Sequence, residues 1–166
     1  MSLAFDPISE AGRNWRRRAW GAVEAMEAAT SITRAHQILH ARIDEALRPL
    51  DLNFSRFEVL ALLGFTREGQ LPMGKIGDRL QVHAASVTNT IQRLEGSGFV
   101  ERVDHPDDGR TVLARILPPG RAAADAGAAA LADIEFGVVG LDGPGRAAVV
   151  GALAGYRAAN GDFVTG

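Results

Sequence analysis

The sequence predicts a mainly α protein with a small β-hairpin, an α+β arrangement, and three observations carry that expectation. A long proline-free run from Arg13 to Leu47 repeats its apolar residues at helical spacing. Between Lys75 and Leu117 two short helical segments are parted by only Gln81-Val82-His83. Two β-prone runs follow, joined by His105-Pro106-Asp107-Asp108-Gly109-Arg110. Helix, tight turn, helix and hairpin, in that order, make a winged helix-turn-helix, here with further helices on both sides.

Taken in order, Pro7 closes a short leader. In the run after it, Val23, Met26, Ile32, Ala35, Leu39, Ile43 and Leu47 recur mostly three or four apart, which predicts one long amphipathic helix that Pro49 stops. Asn53 is a good N-cap for a second helix, whose apolar stripe is Phe57, Leu60, Ala61 and Leu63 through Phe65. Gly69 and Pro72 leave room only for a very short strand near Leu71. A third helix is expected over about Met73 to Leu80 and a fourth over about Ala84 to Ser97, closed by Gly98.

Phe99 to Asp104 and Thr111 to Leu117 are the strands of the hairpin. Pro106 suits the first central position of its turn, and Gly109 is expected to supply a positive φ. From Pro118-Pro119-Gly120 onward the chain is rich in alanine and glycine, with a break at Gly143-Pro144-Gly145 and a last helix near Arg146 to Ala159. Glycines at 127, 137, 140, 151 and 155 weaken isolated helices, so these segments are expected to find stability in tertiary or subunit packing. The expected division is an N-terminal dimerisation helix over 8–48, a winged domain over 53–117 and C-terminal dimerisation helices over 118–160.

A chain of 166 residues, 46% hydrophobic and 23% charged, matches an ordinary globular domain with an appended oligomerisation element. No apolar run approaches the roughly 18 residues of a bilayer span and no leader resembles a signal sequence, so a cytoplasmic location without membrane attachment is expected. The absence of cysteine removes disulfides, thiolate metal sites and thiol redox switches. Net charge is -2 and the isoelectric point about 6.1. In the winged segment Lys75, Arg79, Arg93, Arg102, Arg110 and Arg115 are matched by Asp78, Glu95, Glu101, Asp104, Asp107 and Asp108. A surface for a polyanion therefore requires the two signs to lie on different faces.

On a helical wheel Val87, Ile91 and Leu94 share one side of the fourth helix, while Ala85, Asn89, Gln92 and Arg93 point away, with Ser86 beside them. The major groove of duplex DNA admits one helix, and Asn, Gln and Arg can pair bidentately with base edges. Ser86, Thr88, Asn89, Gln92 and Arg93 are thus the candidate base readers. Arg110, at the hairpin tip, has the chemistry to enter a narrow minor groove, and Asp108 is placed to pair with it or to cap the turn.

The run Leu94-Glu95-Gly96-Ser97-Gly98-Phe99-Val100-Glu101-Arg102, then His105 to Arg110, then Ile116-Leu117-Pro118-Pro119-Gly120, resembles the MarR family of bacterial transcription regulators. Val87-Thr88-Asn89 resembles the family's Val-Thr-Arg stretch. The likeness spans about Asn53 to Gly120 in motif and the whole chain in helix order. It departs from the family at His105, where Asp is usual, at Gly109, which stands for the first of two arginines, and at Leu117, which stands for Thr. Arg110 is left to act alone at the tip. The resemblance implies an obligate homodimer whose terminal helices intertwine and whose two winged domains read a pseudo-palindrome in double-stranded DNA, with reading helices roughly 34 Å apart. The apolar faces of the first helix and the tail also exceed what one small winged domain covers.

The resemblance further implies a small aromatic or anionic effector, for which Trp15, Trp20, His36, His40, Arg42 and Phe57 are the candidate pocket residues. His36, His40 and Asp44 share a helical stripe, the basis of an alternative reading as a metal-dependent enzyme. No HExxH motif surrounds them, and no nucleophile elbow, phosphate loop or dinucleotide fingerprint is present, so no cofactor, metal or catalysis is expected. A winged domain that binds protein is the other alternative. A repressor released by its ligand is the main expectation.

Overall fold

A computed structural model of the chain describes residues 3–164. Helix α1 (Pro7–Arg17) starts where Asp6 accepts the Ile8 N–H, with Pro7 at the position that needs no donor. Helix α2 (Val23–Leu47) runs into a 3-10 turn, Arg48–Leu50. The single helix expected from Arg13 to Leu47 is therefore two. Ala19 and Ala22 adopt left-handed backbone on either side of Trp20 and Gly21, which reverses the chain. Trp15 donates its indole N–H to the Gly21 carbonyl at 3.0 Å and meets Trp20 edge to face, centroids 4.6 Å apart. Glu27 of α2 lies against Gly12 of α1 and pairs with Arg16 at 3.2 Å. The apolar positions that predict the helix begin only at Val23, after the corner, so their periodicity carried no information about Arg13 to Ala22.

Helix α3 (Phe54–Gly64) is capped by Asn53, which accepts the Arg56 N–H at 3.0 Å. Strand β1 (Gln70–Pro72) leads into α4 (Met73–Leu80), and α5 (Ala84–Gly96) follows after the turn. Gln81 takes left-handed backbone and Val82 N–H returns to the Gly77 carbonyl, which closes α4. A Cβ at Gly77 would sit 3.2 Å from the Val82 carbonyl oxygen and 3.4 Å from Val87, so glycine lets α4 and α5 approach closely.

Strands β2 (Val100–His105) and β3 (Asp108–Ile116) form the hairpin, and the sheet order is β1-β3-β2, antiparallel throughout. Registers such as Leu71 with Ala114 and Val103 with Leu113 tie the wing to the helices below it. His105 pairs with Asp108 across Pro106-Asp107, with an irregularity between Asp104 and His105. Pro106 takes the turn position the sequence suggests. Gly109 does not: it lies in β3 and its φ is not positive, because the turn closes one residue earlier.

Helix α6 (Pro118–Asp133) begins at the two prolines, a 3-10 turn spans Glu135–Gly137, and α7 (Gly143–Ala159) completes the fold. The expected break at Gly143-Pro144-Gly145 is instead the first turn of α7, since Asp142 accepts the Gly145 N–H and Pro144 needs no donor there.

The core joins Ile43 and Leu47 of α2, Val59, Leu60 and Leu63 of α3, Ile76 of α4, Val87, Ile91 and Leu94 of α5, the sheet residues Val100, Ala114 and Ile116, and Leu131 of α6. One core therefore runs from α2 through the helix-turn-helix to α6. The surfaces left outside it are α1, the first half of α2 and α7, where Trp20, Ile32, Ile38, Val149, Val150 and Tyr156 are exposed, Val150 at 67%. Among the described residues no helix is long and apolar enough to cross a membrane.

Candidate nucleic-acid interface

Burying Val87, Ile91 and Leu94 turns the opposite face of α5 outward, so Ser86, Asn89, Gln92 and Arg93 are exposed, as the wheel predicts. From Ser86 to Arg93 the face spans about 10 Å at 1.5 Å per residue. Thr88 is also exposed, but its hydroxyl donates to the Ala84 carbonyl at 3.1 Å and lies at the edge nearest the wing.

Beside this helix a groove of about 770 Å³ runs between α4, α5 and the wing. Lys75, Thr88, Arg102, His105 and Arg110 are among its walls. Asp108 holds the wing tip by accepting the Arg110 N–H at 3.1 Å and the Thr111 hydroxyl at 2.7 Å. These two donors, the hydroxyl first, hold its carboxyl below the usual value of 3.8. Of the two roles open to Asp108, the structure shows the cap: it bonds the backbone of Arg110, which leaves the guanidinium free to point outward.

The charges sort partly by pairing. Arg102 lies 3.4 Å from Glu95 and also donates to the Thr88 carbonyl, while its own N–H meets Glu95, so β2 is stapled to α5. Arg115 pairs with Glu101 at 2.8 Å and Lys75 with Asp78 at 3.8 Å. Arg79, Arg93 and Arg110 have no ion pair among the described residues. Arg102 is thus a bracket between the reading helix and the wing, a role that its sequence context did not reveal because Glu95 is seven residues away on another element.

The six candidate pocket residues do not form one site within a single chain. Trp15 and Trp20 close the α1–α2 corner, while His36, His40 and Arg42 lie 13 or more residues into α2, about 20 Å along it by its rise. Phe57, 8% exposed, is a core residue pressed against Gly127 of α6. Arg42 donates to the Gly137 carbonyl at 3.0 Å and so ties α2 to the turn after α6. His36, His40 and Phe54 stack edge to face at 5.3 and 6.0 Å.

Within the stripe of His36, His40 and Asp44, the last two tie α2 to the start of α3. Asp44 accepts the Phe54 N–H at 2.9 Å and faces His40 Nδ1 at 3.3 Å, holding the start of α3 against α2. Its oxygens are thereby committed to backbone and imidazole.

The sequence model of the MarR family matches residues 52–112, from the residue before the α3 cap into β3. The structure is similar to that of Sco5413, a MarR family transcriptional regulator from Streptomyces coelicolor, with a TM-score of 0.80 and 42% identity over 86% of this chain and 99% of that one. The chain belongs to the MarR family. A mutant MarR from E. coli, complexed with operator DNA, shares the fold at a TM-score of 0.71 and 23% identity, covering 80% of this chain and 95% of that one. The regulator MhqR of Bacillus subtilis is 28% identical over 89 residues, 54% of this chain and 60% of that protein. The chain spans between 43% and 60% of the length of the curated relatives it matches. Among those relatives, MhqR and YkoM of Bacillus subtilis are named as transcriptional regulators, not enzymes.

Proposed function

We propose that this MarR family chain acts in the cytoplasm as a homodimeric, sequence-specific DNA-binding regulator, a repressor that releases a pseudo-palindromic operator when a small ligand binds. The observation that carries this reading is the outward face of α5, polar, exposed and flanked by a wing whose Arg110 is free of any ion pair among the described residues. In this reading Asn89, Gln92 and Arg93 read base edges in the major groove, Ser86 and Thr88 contact the strand beside them, and Arg110 enters the minor groove. The exposed apolar residues of α1, α2 and α7 supply the dimer surface. An aromatic or anionic effector would meet His36 and His40 beside Phe54, where two half-exposed imidazoles offer both stacking and donors.

The test is fluorescence anisotropy on a duplex from the region upstream of its own gene, at several stated salt concentrations. The wild type is expected to bind with a steep salt dependence. Asn89→Ala and Arg110→Ala should each weaken binding by about 1–3 kcal/mol, Asn89→Ala only on sequences that carry its base. Unchanged affinity in both variants would refute the assignment.

A further inference from the structure

Two histidines stand at the two reading elements in the same local geometry. His83, the residue before α5, accepts the Ala85 N–H on Nδ1 at 3.2 Å. His105, at the end of β2, accepts the Asp107 N–H on Nδ1 at 3.2 Å. An imidazole nitrogen that accepts carries no proton, so in each ring the proton is assigned to Nε2. Among the described residues neither Nε2 has a hydrogen-bond partner. His83 is exposed, and His105 is half-buried on the wall of the groove that also holds Thr88, Arg102 and Arg110.

A side chain whose one nitrogen is committed to its own backbone is pre-oriented, and its remaining donor comes at a reduced cost in rotamer freedom. An aspartate or asparagine caps the same turns more commonly. Aspartate would carry a negative charge toward a polyanion and asparagine is one bond too short, whereas histidine caps and still extends a donor beyond the backbone. Asp107 and Asp108 face His105 from the wing tip, with the Asp108 carboxyl occupied by Thr111 and Arg110.

We propose that His83 and His105 are neutral phosphate donors that seat the reading head on the DNA backbone, one beside the start of α5 and one at the wing. This rests on the DNA-binding reading above. Contacts of this kind fix register without reading sequence.

The test uses His83→Asn and His105→Asn in the full chain. Asparagine keeps an acceptor where Nδ1 stood and reaches nothing where Nε2 stood, so the turns stay capped. Each variant is expected to keep its circular dichroism and melting temperature, and to bind both the upstream duplex and a scrambled duplex of equal length about tenfold more weakly. The slope of log affinity against log salt should not change, because a neutral donor releases no counterion. Wild-type affinity in both variants would mean the histidines only cap. A slope reduced by about 0.9 per histidine would mean a cationic contact, and a loss confined to the upstream duplex would mean a base contact; each overturns the proposal. If the wild type binds neither duplex, it is the DNA-binding reading that fails. His105 lies outside the core, so its variant keeps the test if His83→Asn does not fold.

Discussion

At the scale of single residues, the structure separates exposed side chains without an ion pair, such as Arg110, from those that hold them in place. Asp108 is of the second kind, and its acid-side behaviour follows from its bonds. Its carboxyl is held below 3.8, so its contribution is full above that value and is lost as pH falls through the lower folded value. Asp108→Ala is expected to weaken operator binding several-fold at pH 7 with little change in melting temperature, because the residue is exposed and only the wing tip loosens. Glu58, on α3, behaves oppositely. Burial raises its carboxyl above 4.5, against a lesser pull from His40, so the charged form is disfavoured in the folded state. The sign is that stability is greatest below the unfolded value and falls as pH rises through the folded one. Glu58→Gln should therefore raise the melting temperature at pH 7, and the gain should vanish below about pH 4, as differential scanning calorimetry across that range would register.

At the scale of elements, the reading head is held to the rest of the chain by close backbone approaches as much as by side chains. The first turn of α6 lies so close to Phe99, the residue before β2, that a Cβ on Gly120 would fall on the Phe99 carbonyl oxygen, and Leu117 N–H already donates to that oxygen at 2.9 Å. Backbone cannot yield as a flexible side chain does. Gly120→Ala should cost about 2–3 kcal/mol in urea unfolding, near the upper range for overpacking. A result below about 0.5 kcal/mol would mean that α6 can shift away from the wing. The sequence offered Gly120 as part of a motif, and only the crossing of two elements gives the reason for it. The Arg102–Glu95 staple has the same character: both residues were visible as charges, but their pairing depends on how β2 folds back along α5.

At the scale of the whole molecule, one core holds α2 to α6 together while α1, much of α2 and α7 display apolar side chains to solvent. Our dimer reading turns that imbalance into an expectation. Light scattering should give twice the 17.6 kDa chain mass. Val150→Asp, at a site 67% exposed in the single chain, should shift the protein toward monomer and cost operator affinity, while leaving the helical content of the core unchanged. A monomeric wild type, or a dimeric Val150→Asp of normal affinity, would place the interface elsewhere.

By itself the sequence determined the order of elements from α3 to the hairpin, the capped start of α3, the turn between α4 and α5 and the polar face of α5. All of these are local: caps act within one turn, periodicity reports which face is apolar, and turn residues set their own dihedrals. Tertiary structure alone decided that Arg13 to Leu47 folds back at Ala19–Ala22, that Phe57 belongs to the core, that the aromatic and histidine candidates of α1 and α2 lie apart, and that Asp44 holds the start of α3. It also decided which arginines of a charge-balanced segment stay free. Each of these depends on distances between residues far apart in the chain, and a pattern with a period of a few residues carries no information about what packs across the gap.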